Sequence, residues 1–224
     1  MRGLNLVDQF LFGIINATLL YTLAYALLGF SEQYNAGFAV EDGPVEYGTA
    51  LFLLFSSFAL MWQAAGAASA RRVGGVLLLA FYALLFIFGA GEEISWGQRI
   101  FGWETTGYFA EHNVQGETTL HNLKVGDEQL AKTLFGSVLT TVVLLYLVVL
   151  PLTYPRLPFI AKIADALMVP VPGARHAAIA VIASVLIGIV DLNRKWETYE
   201  LIFSLLTLSI FLAPQNAHRF MRQS

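Results

Sequence analysis

Long apolar stretches separated by short polar connectors constrain the fold more than any other feature of the sequence. The first stretch, residues 10–30, contains no charged residue. A helix needs roughly 20 apolar residues to cross the hydrocarbon core of a bilayer. Hydrophobic residues make up 57% of the chain and charged residues 13%, which is typical of an integral membrane protein and not of a soluble domain.

The apolar stretches predict an all-α integral membrane protein with six transmembrane helices in one bundle over residues 1–224. Pro44 and Glu46 suit the first and third positions of the second helix. Pro151 is expected to end the fourth helix. The sixth stretch is short, so we expect its helix to begin near Lys195, with Trp196 at the membrane interface. The predicted spans are residues 10–30, 45–68, 73–91, 133–150, 176–192 and 196–213.

The Lys and Arg residues predict how the bundle is oriented, because cytoplasmic connectors of membrane proteins carry an excess of them. Eight lie on the side of the two termini and five on the other side, so both termini are expected in the cytoplasm. Of the 16 Asp and Glu residues, all but Asp8 and Asp165 fall on the outer side. The eight are Arg2, Arg71, Arg72, Arg156, Lys162, Arg175, Arg219 and Arg222, and the five are Arg99, Lys124, Lys132, Arg194 and Lys195.

The largest polar island lies between the third and fourth spans, at residues 91–122, and is called the polar segment below. It reads GEEISWGQRIFGWETTGYFAEHNVQGETTLHN and contains carboxylates, an arginine, histidines and amides. The span before it is long enough to cross the bilayer, which places the segment at the outer interface. We therefore expect short interfacial or re-entrant helices here and, if the protein has a site, we expect it in this segment.

Glu92 and Glu93 are the first candidates for catalysis. Adjacent carboxylates at the end of a span are costly near lipid unless they are paired, protonated or bound to a metal. If the helix continued, Glu92, Trp96 and Arg99 would share one face, which would allow an ion pair between Glu92 and Arg99. As catalytic groups, Glu92 and Glu93 would be metal ligands or a general base, and Arg99 would clamp an anion. The alternative is that these charges only mark the membrane boundary.

His112 and His121 are the histidines of the outer side, each followed by an asparagine. Imidazole together with carboxylate suits a divalent metal such as Zn, Mn or Fe, and the candidate ligands are Glu93, His112, Glu117 and His121. The spacing matches no established metal motif. A catalytic or proton-relay role for His121, or hydrogen-bonded structural roles for both histidines, therefore remain alternatives.

Several further polar residues are predicted to support the site. Glu46 either begins the second helix or joins the outer site. Glu200 lies just inside the sixth span, where an unpaired carboxylate is expensive, so we expect Arg99, Arg194 or Lys195 to pair with it. The remaining supporting residues are Trp96, Gln98, Asn113, Gln115 and Asn122.

Two blocks of the polar segment resemble the signature of a group of bacterial polytopic membrane proteins. They are GEEISWGQRIFG at residues 91–102 and HNVQGETTLHNL at residues 112–123. The resemblance covers about two dozen residues. It implies no activity, but it implies that the polar residues of both blocks belong to one element. We expect that shared element to include Glu92, Glu93, Trp96, Gln98, Arg99, Asn113, Gln115, Glu117, His121 and Asn122.

The sequence leaves two functions open. The first is a membrane-embedded enzyme, metal-assisted, acting on a lipid or lipid-linked substrate at the outer leaflet. The second is a non-enzymatic small transporter or accessory subunit, in which the polar segment is an ion-paired lid and the partner is a membrane protein or a second copy. The chain lacks cysteine, which excludes a cysteine nucleophile. It also lacks the clusters of Lys and Arg that bind nucleic acid.

Overall fold

The computed structural model describes residues 5–69, 72–125, 128–129 and 137–220, and these residues are largely helical. Two predictions involve residues outside these ranges. The fourth predicted span includes residues 133–136, and the count of Lys and Arg residues used for the orientation includes Arg2, Arg71, Lys132 and Arg222. The longer helices of the described residues are α1 (Leu6–Leu28), α2 (Pro44–Ser69), α3 (Val73–Glu93), α4 (Ser137–Leu144, continued by Leu145–Val149 and Leu150–Thr153), α5 (Pro158–Ala166), α6 (Ala174–Ile189) and α7 (Lys195–Leu212).

Shorter elements fill the connectors. Ser31–Gln33 and the π-helical turn Tyr34–Phe38 join α1 to α2. The polar segment contains a 3₁₀ turn at Ser95–Gly97 and short helices at Gln98–Phe101 and Gly107–His112, which confirms that it forms short helices. Lys124–Val125 pairs antiparallel with Glu128–Gln129, and a 3₁₀ turn at Ala217–Arg219 follows α7.

Three helices, α1, α2 and α3, are long and apolar enough to span a membrane. The starts of α2 at Pro44 and of α7 at Lys195 confirm two predicted helix boundaries. At the start of α2, the carboxylate of Glu46 accepts a hydrogen bond of 2.6 Å from the backbone N–H of Asp42, as expected for an acid in the first turn of a helix. Helix α6 and the apolar part of α4 are shorter than 18 residues, and α7 begins with charged residues.

The prediction that Pro151 ends the fourth helix is wrong, because α4 continues to Thr153. Directly before the proline, the helix widens into the π-helical turn Leu145–Val149, in which the N–H of Leu150 donates to the carbonyl of Leu145. A proline in a regular α-helix clashes with the carbonyl four residues earlier, and the wider turn supplies the space that its ring needs.

Helix α7 lies at the centre of the bundle. Ile202, Leu205, Leu206 and Ile210 are completely buried, and α7 packs most extensively against α2. The two helices approach closely at Gly48, where a Cβ atom would lie 3.1 Å from the side chain of Leu201. Because α7 runs through the core from end to end, its two ends join the polar groups at opposite ends of the bundle.

At the end opposite the polar segment, α1, α6 and α7 are joined by a set of polar side chains, called the distal cluster below: the buried Asp8, His176 and Ser209, and Arg175, which is 33% exposed. Asp8 accepts hydrogen bonds from Ser209 at 2.6 Å and from Arg175 at 2.8 Å. The ring of His176 lies between the N–H of Gly173, which donates to Nδ1, and Ser209, 3.0 Å from Nε2. Since Nδ1 accepts, Nε2 carries the proton and donates to Ser209, so the histidine cannot act as a base toward that serine.

Candidate functional site

The chain reverses direction directly after α3, and this reversal sets the geometry of the polar segment. Ser95, Trp96 and Gly97 all have left-handed backbone conformations, with φ of 48°, 55° and 79°. Such conformations cost of order 1–3 kcal/mol for residues other than glycine, and only surrounding contacts maintain them. The indole of Trp96 folds back onto Gly91, where a Cβ atom would lie 2.8 Å from the ring. A glycine at position 91 is therefore required for this turn.

Because of the reversal, the predicted ion pair between Glu92 and Arg99 is wrong. Glu92 is 8% exposed, and its carboxylate is surrounded by donors of the polar segment. Oε1 accepts from the indole N–H of Trp96 at 2.8 Å. Oε2 accepts from the backbone N–H of Leu120 at 2.7 Å and of His121 at 3.1 Å, and lies 3.3 Å from Nδ1 of His121. Glu92 therefore binds the far end of the segment to the end of α3.

Arg99 connects the polar segment to the connector between α1 and α2. Its guanidinium donates to Asp42, to Glu41 at 2.7 Å and to Glu117 at 2.7 Å. The side chain of Arg99 is 36% exposed, whereas that of Glu117 is 8% exposed. Arg99 thus supplies the positive charge that allows Glu117 to be buried, and its donors are directed at its own chain.

Amide side chains hold the loop between the contacts of Glu92 and those of Arg99. The side-chain oxygen of Gln98 accepts from Thr105 at 2.9 Å and from the N–H of Thr118 at 3.0 Å. Asn113 accepts from the N–H groups of Gln115 and Glu117, at 2.9 and 3.1 Å. Asn122 donates to Gln115 and, at 3.2 Å, to Glu117. These predicted supporting residues therefore come together, as parts of one hydrogen-bonded loop.

Glu46 joins this end of the bundle through Arg194, whose guanidinium donates to it at 2.7 Å and to Glu197 at 3.2 Å. The sequence indicated Glu46, but it gave Arg194 only as a partner for Glu200. Sequence reasoning also missed Glu41 as a partner of Arg99. The sequence did contain a signal for this pair. The connector between α1 and α2 and the polar segment are both predicted on the outer side, where an arginine among many acids is expected to pair with some of them.

His121 has a raised pKa. Burial disfavours the charged imidazolium, but the hydrogen bond to Glu92 and the negative charges of Glu92 and Glu93 outweigh it, so the pKa of His121 rises above its usual 6.5. His112 is elsewhere: its ring stacks on Tyr108 with centroids 4.1 Å apart. The two histidines therefore have separate environments.

The proposed metal ligands do not converge. Glu117 is bound to Arg99, His121 to Glu92, and His112 stacks on Tyr108. Within the described ranges, no group of three or more His, Asp or Glu residues is spaced to hold a metal ion. The metal prediction consequently has no support from the geometry.

Glu93 and Glu200 differ from the other acids of this region. Neither makes a hydrogen bond or ion pair with any other residue that the structure describes, so the expected partner of Glu200 is not found there. Arg99, Arg194 and Lys195 are bound to other groups. Glu93 and Glu200 act on each other electrostatically, together with Glu46 and Glu197. His121 also acts on Glu93. A carboxylate that accepts no hydrogen bond has lone pairs free to accept a proton.

Comparisons of this chain with protein-family models, with curated proteins and with solved structures find no match. The function is therefore inferred from the sequence and structure of this chain alone.

Proposed function

We propose that the chain is a bacterial inner-membrane protein with six transmembrane helices, both termini in the cytoplasm and the polar segment on the outer side. The three long apolar helices and the excess of Lys and Arg on the side of the termini support this topology. Helices α4, α6 and α7 would provide the other three spans. Membership of the bacterial group with the same two sequence blocks is part of this proposal.

Within that topology, we infer that the polar segment is a structural lid and that the protein serves as a non-enzymatic accessory subunit of a membrane complex. One observation carries this inference: both carboxylate oxygens of Glu92 and both terminal nitrogens of Arg99 are bonded to groups of their own chain. A general base needs a free lone pair, and an anion clamp needs free guanidinium donors. A transporter is disfavoured because α3 carries no charged residue before Glu92.

The outer surface indicates the chemistry of the partner. Glu32, Glu104 and Glu111 are exposed and make no ion pair with any residue the structure describes. Complementary charge guides and orients association between proteins. The partner is therefore expected to present a basic surface on the outer side of the membrane.

Co-purification from native membranes tests the accessory role. The wild-type chain is expected to be recovered with a membrane partner in near-stoichiometric amount. The double variant Glu104→Lys and Glu111→Lys should lose that partner while its thermal stability stays unchanged, because both side chains are exposed. Recovery of the wild-type chain alone, as a monomer or homo-oligomer, would contradict the proposal.

A second candidate function is a membrane-embedded enzyme acting on a lipid or lipid-linked substrate at the outer leaflet. It is favoured by Glu93, which has no donor among the described residues and lies within electrostatic range of His121. Glu93 would be the general base and His121, with its raised pKa, the general acid. Glu92 and Arg99 would then be positioning residues.

Lipid conversion separates the two candidates. Wild type and Glu93→Gln are incubated in liposomes of total bacterial lipid extract, and the lipids are compared by mass spectrometry. The accessory role predicts identical lipid profiles. A product formed by the wild type and absent with Glu93→Gln, at equal thermal stability, would establish the enzyme instead.

A further inference from the structure

One face of the polar segment is apolar and exposed. Of its side chains, Phe101 is 79% exposed, Ile100 53%, Trp96 43% and Trp103 38%. These residues directly follow the chain reversal, on the 3₁₀ turn, the helix Gln98–Phe101 and the two residues after it. Exposing such a set of side chains to water is unfavourable, and exposed apolar patches on proteins mark contact surfaces.

The position of this face along the membrane normal follows from α3. A helix of 21 residues is about 31 Å long, which matches the hydrocarbon thickness of about 30 Å. The chain turns back within four residues after Glu93. Residues 96–103 therefore lie close to the depth at which the hydrocarbon core ends. Aromatic side chains at that level form the interfacial belts of membrane proteins.

The apolar face is also continuous with the lipid-exposed side of α3. Leu77, Phe81 and Leu84 are exposed along one side of that helix, at 66%, 55% and 63%. Phe88 continues this side by one turn, and its ring packs edge-on against Trp96 with centroids 5.7 Å apart. The exposed surface of the helix therefore runs without interruption into the exposed surface of the polar segment.

Charge argues for lipid over protein at this face. Arg99 is the one Lys or Arg residue of the polar segment, and its guanidinium is bound to three carboxylates, those of Glu41, Asp42 and Glu117. The four side chains of this face are uncharged, so it offers no basic patch for anionic headgroups, and the exposed acid that follows it, Glu104, would remain on the water side. Its attachment would depend on apolar area alone, as for interfacial segments that lie at the boundary between headgroups and acyl chains.

We propose that Trp96, Ile100, Phe101 and Trp103 insert into the outer-leaflet interface and anchor the polar segment to the lipid bilayer. This anchor is independent of whether the polar segment is a lid or an enzyme site, and it requires only that α3 spans the membrane. The anchor fixes the segment from the lipid side, while Glu92 and Arg99 fix it from the protein side.

Spin labels on single cysteines test the anchor, because the chain contains no cysteine. Phe101→Cys is labelled in zwitterionic phosphatidylcholine nanodiscs, and its collision rates with oxygen, which concentrates in lipid, and with a water-soluble nickel chelate are compared. Leu84→Cys on α3 is the lipid reference. Lys124→Cys, an exposed position of the short hairpin, is the water reference.

The anchor predicts an oxygen-to-nickel ratio at position 101 nearer to that of Leu84→Cys, and unchanged by added salt. A ratio equal to that of Lys124→Cys would overturn the proposal, since the face would then be open to water. Low accessibility to both reagents would also overturn it, because the face would then be covered by protein, for example a second copy. Phe101 is largely exposed, so its replacement leaves the buried contacts in place.

Discussion

The two polar networks at opposite ends of the bundle differ in how they are assembled. The outer network combines contacts inside the polar segment, from Glu92 to Leu120 and His121 and from Arg99 to Glu117, with contacts from Arg99 to Glu41 and Asp42 in the connector between α1 and α2. The distal cluster joins residues remote in sequence, since Ser209 and Asp8 are 201 positions apart. The outer network therefore orders the polar segment and fastens it to a neighbouring connector, whereas the distal cluster ties the ends of three helices together.

The two networks also differ, to a lesser degree, in the burial of their carboxylates. The arginines are similarly exposed, 33% for Arg175 and 36% for Arg99, whereas the side chain of Asp8 is 2% exposed and that of Glu117 8%. When a partner is removed, exposed groups can bond to water, but a buried carboxylate or its partner loses a bond that water cannot replace. Substitutions should consequently cost most in the distal cluster and less in the outer network, where they should change local order before global stability.

The largest effect is expected for Asp8→Asn. The substitution keeps the shape of the side chain but leaves Arg175 without its counter-charge and disturbs the bond from Ser209, at a cost of about 3 kcal/mol in the free energy of unfolding. Denaturant unfolding in detergent micelles measures it. Asp191→Asn, at an exposed aspartate, is the matched control and should change little. Equal losses for both variants would remove the distinction between the networks.

Arg99→Gln should have an intermediate effect. It leaves the buried Glu117 without a cation, which we expect to cost about 1.5 kcal/mol after allowance for the partial exposure of the guanidinium. The difference from wild type should shrink at high salt, because salt screens half-exposed pairs. Arg156→Gln is the control, as Arg156 is exposed and bonds to a backbone carbonyl. A loss of stability that does not change with salt would contradict this prediction, because it would mean that the outer network is shielded from solvent.

The smallest effect is expected from the protonation of His121. Its pKa is raised in the folded protein, so the protonated form stabilises the fold, and this contribution is fully present below the unfolded pKa of about 6.5. It is lost as the pH rises through the folded pKa. At a side chain 37% exposed, the gain should stay below about 1 kcal/mol. The free energy of unfolding is measured as a function of pH for wild type and His121→Gln. The difference between the two proteins should shrink as the pH rises above neutral, and a difference that grows there would contradict the predicted sign.

The helices could be predicted because apolar runs are a property of the sequence alone. Residues 45–68 and the start at Lys195 agree with α2 and α7. The polar segment could be located for the same reason, as an interruption of the apolar pattern. Its internal pairing could not be predicted, because three left-handed residues after α3 reverse the chain, and helical spacing therefore placed Arg99 beside the wrong carboxylate.

The distal cluster was missed for a different reason. His176 reads as an interfacial residue next to Arg175, and Asp8 as a charge before the first span. Only the packing of α1 against α6 and α7 brings them to Ser209. A signal was present, since a serine in an apolar span and an aspartate before one each need a partner. The sequence does not say which residues are those partners.

Hydrogen exchange at two backbone amides tests the central claim, that Glu92 is a structural anchor and Glu93 is not. Wild type, Glu92→Ala and Glu93→Ala are compared in nanodiscs by mass spectrometry of peptides that cover residues 113–123. Glu92 accepts from the amides of Leu120 and His121, so Glu92→Ala should lose protection there while peptides of α2 and α7 stay protected. Glu93→Ala should match wild type. Equal protection of Leu120 and His121 in all three proteins, or loss with Glu93→Ala alone, would contradict the account.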